Sequence, residues 1–244
     1  MTPAGKIKII YEERIKMKKM RNEKRKKVQK ISLRLGAASG ILAAALLTGC
    51  GMIAQKEKTP SLSDILAEYS VEVPSELSSD LNSMQVVIDG ELYQMPFGYA
   101  DIKDKYWLDM DTYQGRKSLP GGSKMATMGA SGVTLHSDEI SEDAHFTVEF
   151  CNTSNEEKQI EDCEIYEVNM DIEYTRGGKF PELILPGGIT WGSSLEDVKA
   201  AYGESTMENA SDGVTTLRYD NEVHLFSIIV SDRLGVVSIR YSMK

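Results

Sequence analysis

The chain holds few residues whose types and spacing could do chemistry. Its three histidines, His136, His145 and His224, form neither an H-E-x-x-H pair nor a Cys/His zinc spacing. His136 and His145 flank the acidic stretches Ser137-Asp138-Glu139 and Glu142-Asp143, where metal capture is the alternative to a solvated run. Gly129-Ala130-Ser131-Gly132 departs from the G-x-S-x-G elbow of serine hydrolases, which needs glycine where Val133 stands. Asp109-Met110-Asp111 opens like a calcium loop, yet Gln114 and Pro120 occupy the positions that require glycine and glutamate. Paired carboxylates are too abundant in this chain to single out a glycosidase pair. What remains is a mixture of aromatic rings and acids, Tyr106, Trp107, Asp109, Asp111 and Tyr113, able to stack on a sugar or cap a cation. That set is the candidate binding face. The residues give no catalytic set, no metal set and no cofactor motif.

The elements that position these residues begin after residue 49. Before it stand 13 Lys/Arg and three Glu, then an uncharged run from Leu35 to Leu47. A basic stretch, a short apolar stretch and a small-residue exit have the layout of a secretory signal. The apolar run falls short of the ~20 residues that span a bilayer. Met17 and Met20 are alternative translation starts to Met1, because each opens a leader of more ordinary length.

The signal ends in Leu47-Thr48-Gly49-Cys50, which resembles the lipobox of bacterial lipoproteins. The resemblance implies cleavage between Gly49 and Cys50 and a diacylglyceryl group on the Cys50 sulfur, with palmitate among its acyl chains. Two acyl chains give stable anchoring at about 0.8 kcal/mol per buried methylene. The expected location is the extracytoplasmic face of the cell membrane, with residues 50–60 as a lipidated tether.

Removing the leader changes the charge. The whole chain has 28 Lys/Arg and 37 Asp/Glu; without the leader's share 15 and 34 remain, a net charge of −19. Such a domain repels nucleic acid, so the basic leader is no nucleic-acid patch. Cys151 and Cys163 are then the remaining cysteines, an even pair in an oxidising compartment. Phe146, Val148 and Phe150 alternate in one run, and Tyr166, Val168, Met170, Ile172 and Tyr174 in the next. That parity turns both cysteines outward together, as either a cross-hairpin disulfide or two free thiols.

Short elements follow from local signals. Leu62, Ile65, Leu66 and Tyr69 recur at helical spacing after Ser61. Val86 to Tyr93, centred on Asp89-Gly90, reads as a tight hairpin. Residues 117–143 are rich in Gly and Ser and read as a long loop or irregular edge. Ser193 and Glu196 have capping-box spacing, Leu195, Val198 and Tyr202 make a buried stripe, and Gly203 suits the helix end. Strand-like runs then cover 215–219, 224–230 and 236–241. This pattern predicts an α+β fold of short helices on antiparallel sheet. Asp101-Ile102-Lys103 to Tyr106 and Asp197-Val198-Lys199 to Tyr202 match at four offsets, consistent with two tandem helix-plus-meander repeats in units 61–176 and 177–244.

Gly188-Ile189-Thr190-Trp191-Gly192-Ser193-Ser194-Leu195-Glu196-Asp197-Val198, with Tyr202-Gly203 beyond, is similar to a pattern in exported lipoproteins of Clostridia-type bacteria. It also resembles the helix-then-sheet units of the β-lactamase-inhibitor-protein-like and small outer-membrane-assembly-lipoprotein folds. The resemblance implies an uncharacterised, non-catalytic binding or structural module of the cell envelope, with a protein or envelope component as partner. None of the inhibitor's binding residues carries over. The alternative reading is an envelope hydrolase or metal-binding protein with its site in 117–145.

Overall fold

The computed structural model describes residues 60–110, 113–129, 132–141, 143–175 and 178–244. The signal peptide, Cys50, the tether up to residue 59 and Asp111 lie outside the described residues. The described residues from 60 to 244 form one compact unit. Its fold is α+β: mostly antiparallel sheet with a few short helices.

Helix α1 (Leu62–Glu68) starts at Ser61, whose hydroxyl accepts the Asp64 N–H while the Asp64 carboxylate accepts the Ser61 N–H. Strands β1 (Gln85–Ile88) and β2 (Glu91–Gln94) make the expected hairpin. Asp89 and Gly90 adopt φ of 49° and 77°, the pair of positive values that a two-residue I′ turn demands. Then follow β3 (Phe97–Gly98), the one-turn α2 (Tyr99–Ile102) and β4 (Trp107–Leu108). The 117–143 stretch holds β5 (Ser118–Leu119), β6 (Ser123–Lys124) and β7 (Val133–His136). It is irregular, but it is no free loop, because Leu119 and Met125 are both fully buried.

The longer strands come next: β8 (His145–Asn152), β9 (Lys158–Gln159) and β10 (Glu164–Asp171). Short β11 (Leu183–Leu185) and β12 (Ile189–Thr190) lead into α3 (Leu195–Tyr202). The α3 cap sits one residue later than the spacing suggested: Ser194 and Asp197 form the box. Ser193 is diverted, its hydroxyl accepting the Thr190 N–H at 3.0 Å. Gly203 ends the helix as expected, its N–H donating to Lys199 O. The chain closes with a meander of β13 (Met207–Ser211), β14 (Val214–Asp220), β15 (His224–Ser231) and β16 (Gly235–Met243). Strand β13 has no buried residue and so no periodicity to betray it; a second Asp-Gly pair, Asp212-Gly213, turns it into β14.

Two sheets result. The larger runs β13-β14-β15-β16-β10-β8-β7-β4, with β3 also on β10 and β6 on β8; the smaller runs β12-β11-β1-β2. Both cross the expected division at residue 176, since β10 pairs with β16 and β1 with β11. Residues that pair across antiparallel strands share a face. On one face of the large sheet Tyr219, Phe226, Tyr241, Val168, Val148 and Val133 form one buried row. Leu217, Ile228, Ile239, Met170 and Phe146 form the next. Val86, Ile88, Leu183 and Leu185 of the small sheet and Val198 of α3 join the same core. Asp101 and Asp197 both cap a helix from its third residue, but a two-residue strand follows the first helix and a four-stranded meander the second.

Candidate functional site

Of the five residues expected to make one aromatic and acidic face, Asp111 lies outside the described residues and Tyr106 is turned into the core. Tyr106 is 1% exposed and belongs to the core. The turn after α2 folds it inward, its N–H donating to Ile102 O at 2.9 Å. Its hydroxyl donates to Asp89 Oδ2 at 2.6 Å and its ring meets Phe146 edge-on. Burial first, and the Asp89 carboxylate second, push this phenol far above its ordinary range. Trp107 is half-exposed on β4 and packs on the imidazole of His136, its cross-strand partner, at 4.9 Å. Asp109 closes the following turn, its carbonyl accepting the Tyr113 N–H at 3.0 Å. Tyr113 packs against the core, and burial raises its phenol. Trp107, Asp109 and Tyr113 are each part-exposed, and His136 is exposed.

The other histidines stand apart. His145 is exposed at the start of β8, opposite Asp171, and His224 is buried at the start of β15. Among the described residues no three His, Cys, Asp or Glu side chains converge as metal ligands. Two clefts, of about 610 and 270 Å3, contain no residue of 117–145.

The cysteines are unbridged and both buried, not turned outward together. A bulge between Ile165 and Glu167 in β10 is the reason. It shifts the core-facing parity, so that Ile165 and Val168 both pack inward and Cys163 joins them in the core. Cys151 follows core-facing Phe150 and takes the opposite side. Burial pushes both thiols up to about 11. Neither is therefore expected to react with a disulfide reagent at about pH 8 until the chain unfolds. Full reactivity in the native protein, read by thiol titration with and without urea, would contradict that placement.

The second face of the large sheet is polar and part-exposed, and it was not singled out from the sequence. Strand register arranges it in three rows. Asp220, Leu225, Ser242, Glu167 and Glu149 form the first. Arg218, Ser227, Arg240, Asn169, Thr147 and Thr134 form the second. Thr216, Ile229, Ser238, Asp171 and His145 form the third.

Its charges are tied to one another. Arg240 grips Glu167 through Nε at 2.7 Å and Nη2 at 3.0 Å. Arg218 reaches Asp220 at 2.7 Å, and Lys244 pairs with the same carboxylate. Tyr166 donates to Glu149, and Lys124 Nζ lies 4.8 Å above the Tyr166 ring. Glu167, opposite Glu149, is pushed above the ordinary carboxylate range by burial, with Arg240 opposing the shift. The signal that could have revealed this face is the alternation of short polar residues, Ser227 with Ile228 and Ser238 with Ile239.

His224 carries a pH dependence. It is 3% exposed, its ring lies edge-on to Tyr241, and Nδ1 has no hydrogen-bond partner. Burial lowers its pKa against the pull of Asp80 and Asp220, and Lys244 lowers it further. The unfolded chain then takes up this proton first. The stability that the neutral ring contributes is whole above about pH 6.5 and is lost as pH falls toward the folded-state value. Urea unfolding of the wild type and His224→Gln from neutral to mildly acid pH should show a steeper loss in the wild type. Parallel curves would refute the assignment.

No protein-family model, curated protein or solved structure matches this chain.

Proposed function

We propose that the protein is a non-catalytic binding module of the bacterial cell envelope, held on the extracytoplasmic side of the membrane by a diacylglyceryl group on Cys50. The lipobox-like Leu47-Thr48-Gly49-Cys50 supports the anchor. The open face of the large sheet is its binding surface, and the row from Arg218 to Thr134 is the observation that carries this reading.

Strand positions favour β-branched and aromatic residues, and Asn is depleted there. Ser227 and Asn169 gain little from being in strands, yet part-exposed they keep the face low and rich in donors and acceptors. The ion pairs leave few free charges for a partner to desolvate, which is the larger cost of covering charged surface. Non-obligate interfaces are about as polar as ordinary surface, so a face of this composition suits a reversible partner. The caps by Asp101 and Asp197 support descent of the two helices from one duplicated unit.

The test is co-sedimentation of residues 58–244, free of leader and lipid, with isolated cell-envelope particles. Ser227→Lys and Asn169→Lys should each weaken binding about tenfold, or ~1.4 kcal/mol. Ala210→Lys, on the exposed strand β13 and paired with Thr215 on the opposite face, should leave it unchanged. Equal binding by all three would remove the sheet face from the account.

A further inference from the structure

A cleft of about 270 Å3 opens where residues 79–82, the end of α3 and the β14–β15 turn meet. Asp80, Asn82, Tyr202, Tyr219, Asp220 and His224 line it. Asn221 Nδ2 donates to Asn82 Oδ1 at 2.7 Å, tying the β14–β15 turn to the 79–82 segment. Asp220 is taken by Arg218 and Lys244. Asp80 differs. Its Oδ1 accepts from the Asn82 backbone at 2.8 Å and side chain at 3.0 Å, and among the described residues no basic group pairs with it. Beside it stands His224, almost fully buried and with Nδ1 unpartnered.

We propose that this cleft binds a guanidinium group, with Asp80 as counter-ion and the neutral imidazole of His224 as a second acceptor. A carboxylate offers about four acceptor positions, and Asn82 uses two. A planar guanidinium brings several N–H donors and stacks on aromatic rings, and the part-exposed Tyr202 lines the cleft. An ammonium would meet the charge but leave the Tyr202 ring unused. The site touches the open sheet face at Asp220, while Asp80 and His224 stand off that face.

The test follows the His224 imidazole protons by NMR in the full-length protein, assigned with His224→Gln, during titration with methylguanidinium chloride and with N-acetylarginine amide. A saturable shift is expected, and Asp80→Asn should weaken it about tenfold. The asparagine keeps the oxygen that caps Asn82, so the turn survives while the charge goes. Binding of both probes would mark an arginine side chain as the natural occupant; binding of methylguanidinium alone would mark a small free guanidine. A shift that is linear in probe, is matched by sodium chloride, or is unchanged in Asp80→Asn overturns the proposal.

Discussion

Replacing Trp191 with alanine should cost the fold about 3–5 kcal/mol, the range for truncating a large buried aromatic. The ring is 2% exposed, its indole N–H donates to Pro181 O at 2.7 Å, and Phe180 meets it edge-on. It sits between β12 and the start of α3, where the small sheet hands over to the meander. The substitution empties that junction and strips the buried Pro181 carbonyl of its donor, a second penalty on top of the void. Against a typical domain stability of about 5–15 kcal/mol, the loss would be a large share. Urea unfolding measures it directly. A change below about 1 kcal/mol would mean that the junction collapses around the missing ring.

The second large effect concerns the anchor. In Cys50→Ala the sulfur that would carry the diacylglyceryl group is gone, so palmitate labelling should vanish and the precursor should remain uncut between Gly49 and Ala. No helix among the described residues is long and apolar enough to cross a membrane. The acyl chains are the proposed source of stable attachment, through the free energy of burying their methylenes. Metabolic labelling with a palmitate analogue and the mass of the mature N-terminus report both events. Unchanged labelling in the variant would sink the lipid assignment.

Much of the fold was legible wherever a local signal decides the geometry. Asp89-Gly90 specified the first hairpin because few other residue pairs accept two positive φ values cheaply. The three long runs of the meander were readable from alternation, and Gly203 from its place after a helical stripe. Local signals failed where two residues compete or where tertiary structure intervenes. Ser193 and Ser194 are equally good caps on paper, and only the fold gives Ser193 to Thr190. The bulge at Tyr166 reversed the parity that placed Cys163, and nothing in the spacing announces a bulge.

The candidate site was the least legible part. Tyr106 looked like a surface aromatic among acids, but the carboxylate that it meets, Asp89, lies 17 residues away. The open sheet face is distributed over β14, β15, β16, β10 and β8, and its rows exist only once the register is known. A serine within one strand carries no mark of its neighbours on the next.

The claim that this face is the binding surface is tested most directly by accessibility at its centre. The native cysteines are buried and weakly acidic, so Ser227→Cys would supply the reactive thiol of the described domain. Its maleimide labelling rate in residues 58–244, free of leader and lipid, should fall several-fold when cell-envelope particles are added, while the rate at Ala210→Cys, on the opposite face of β13, stays constant. An undiminished rate at position 227 under conditions where the protein co-sediments would contradict the account.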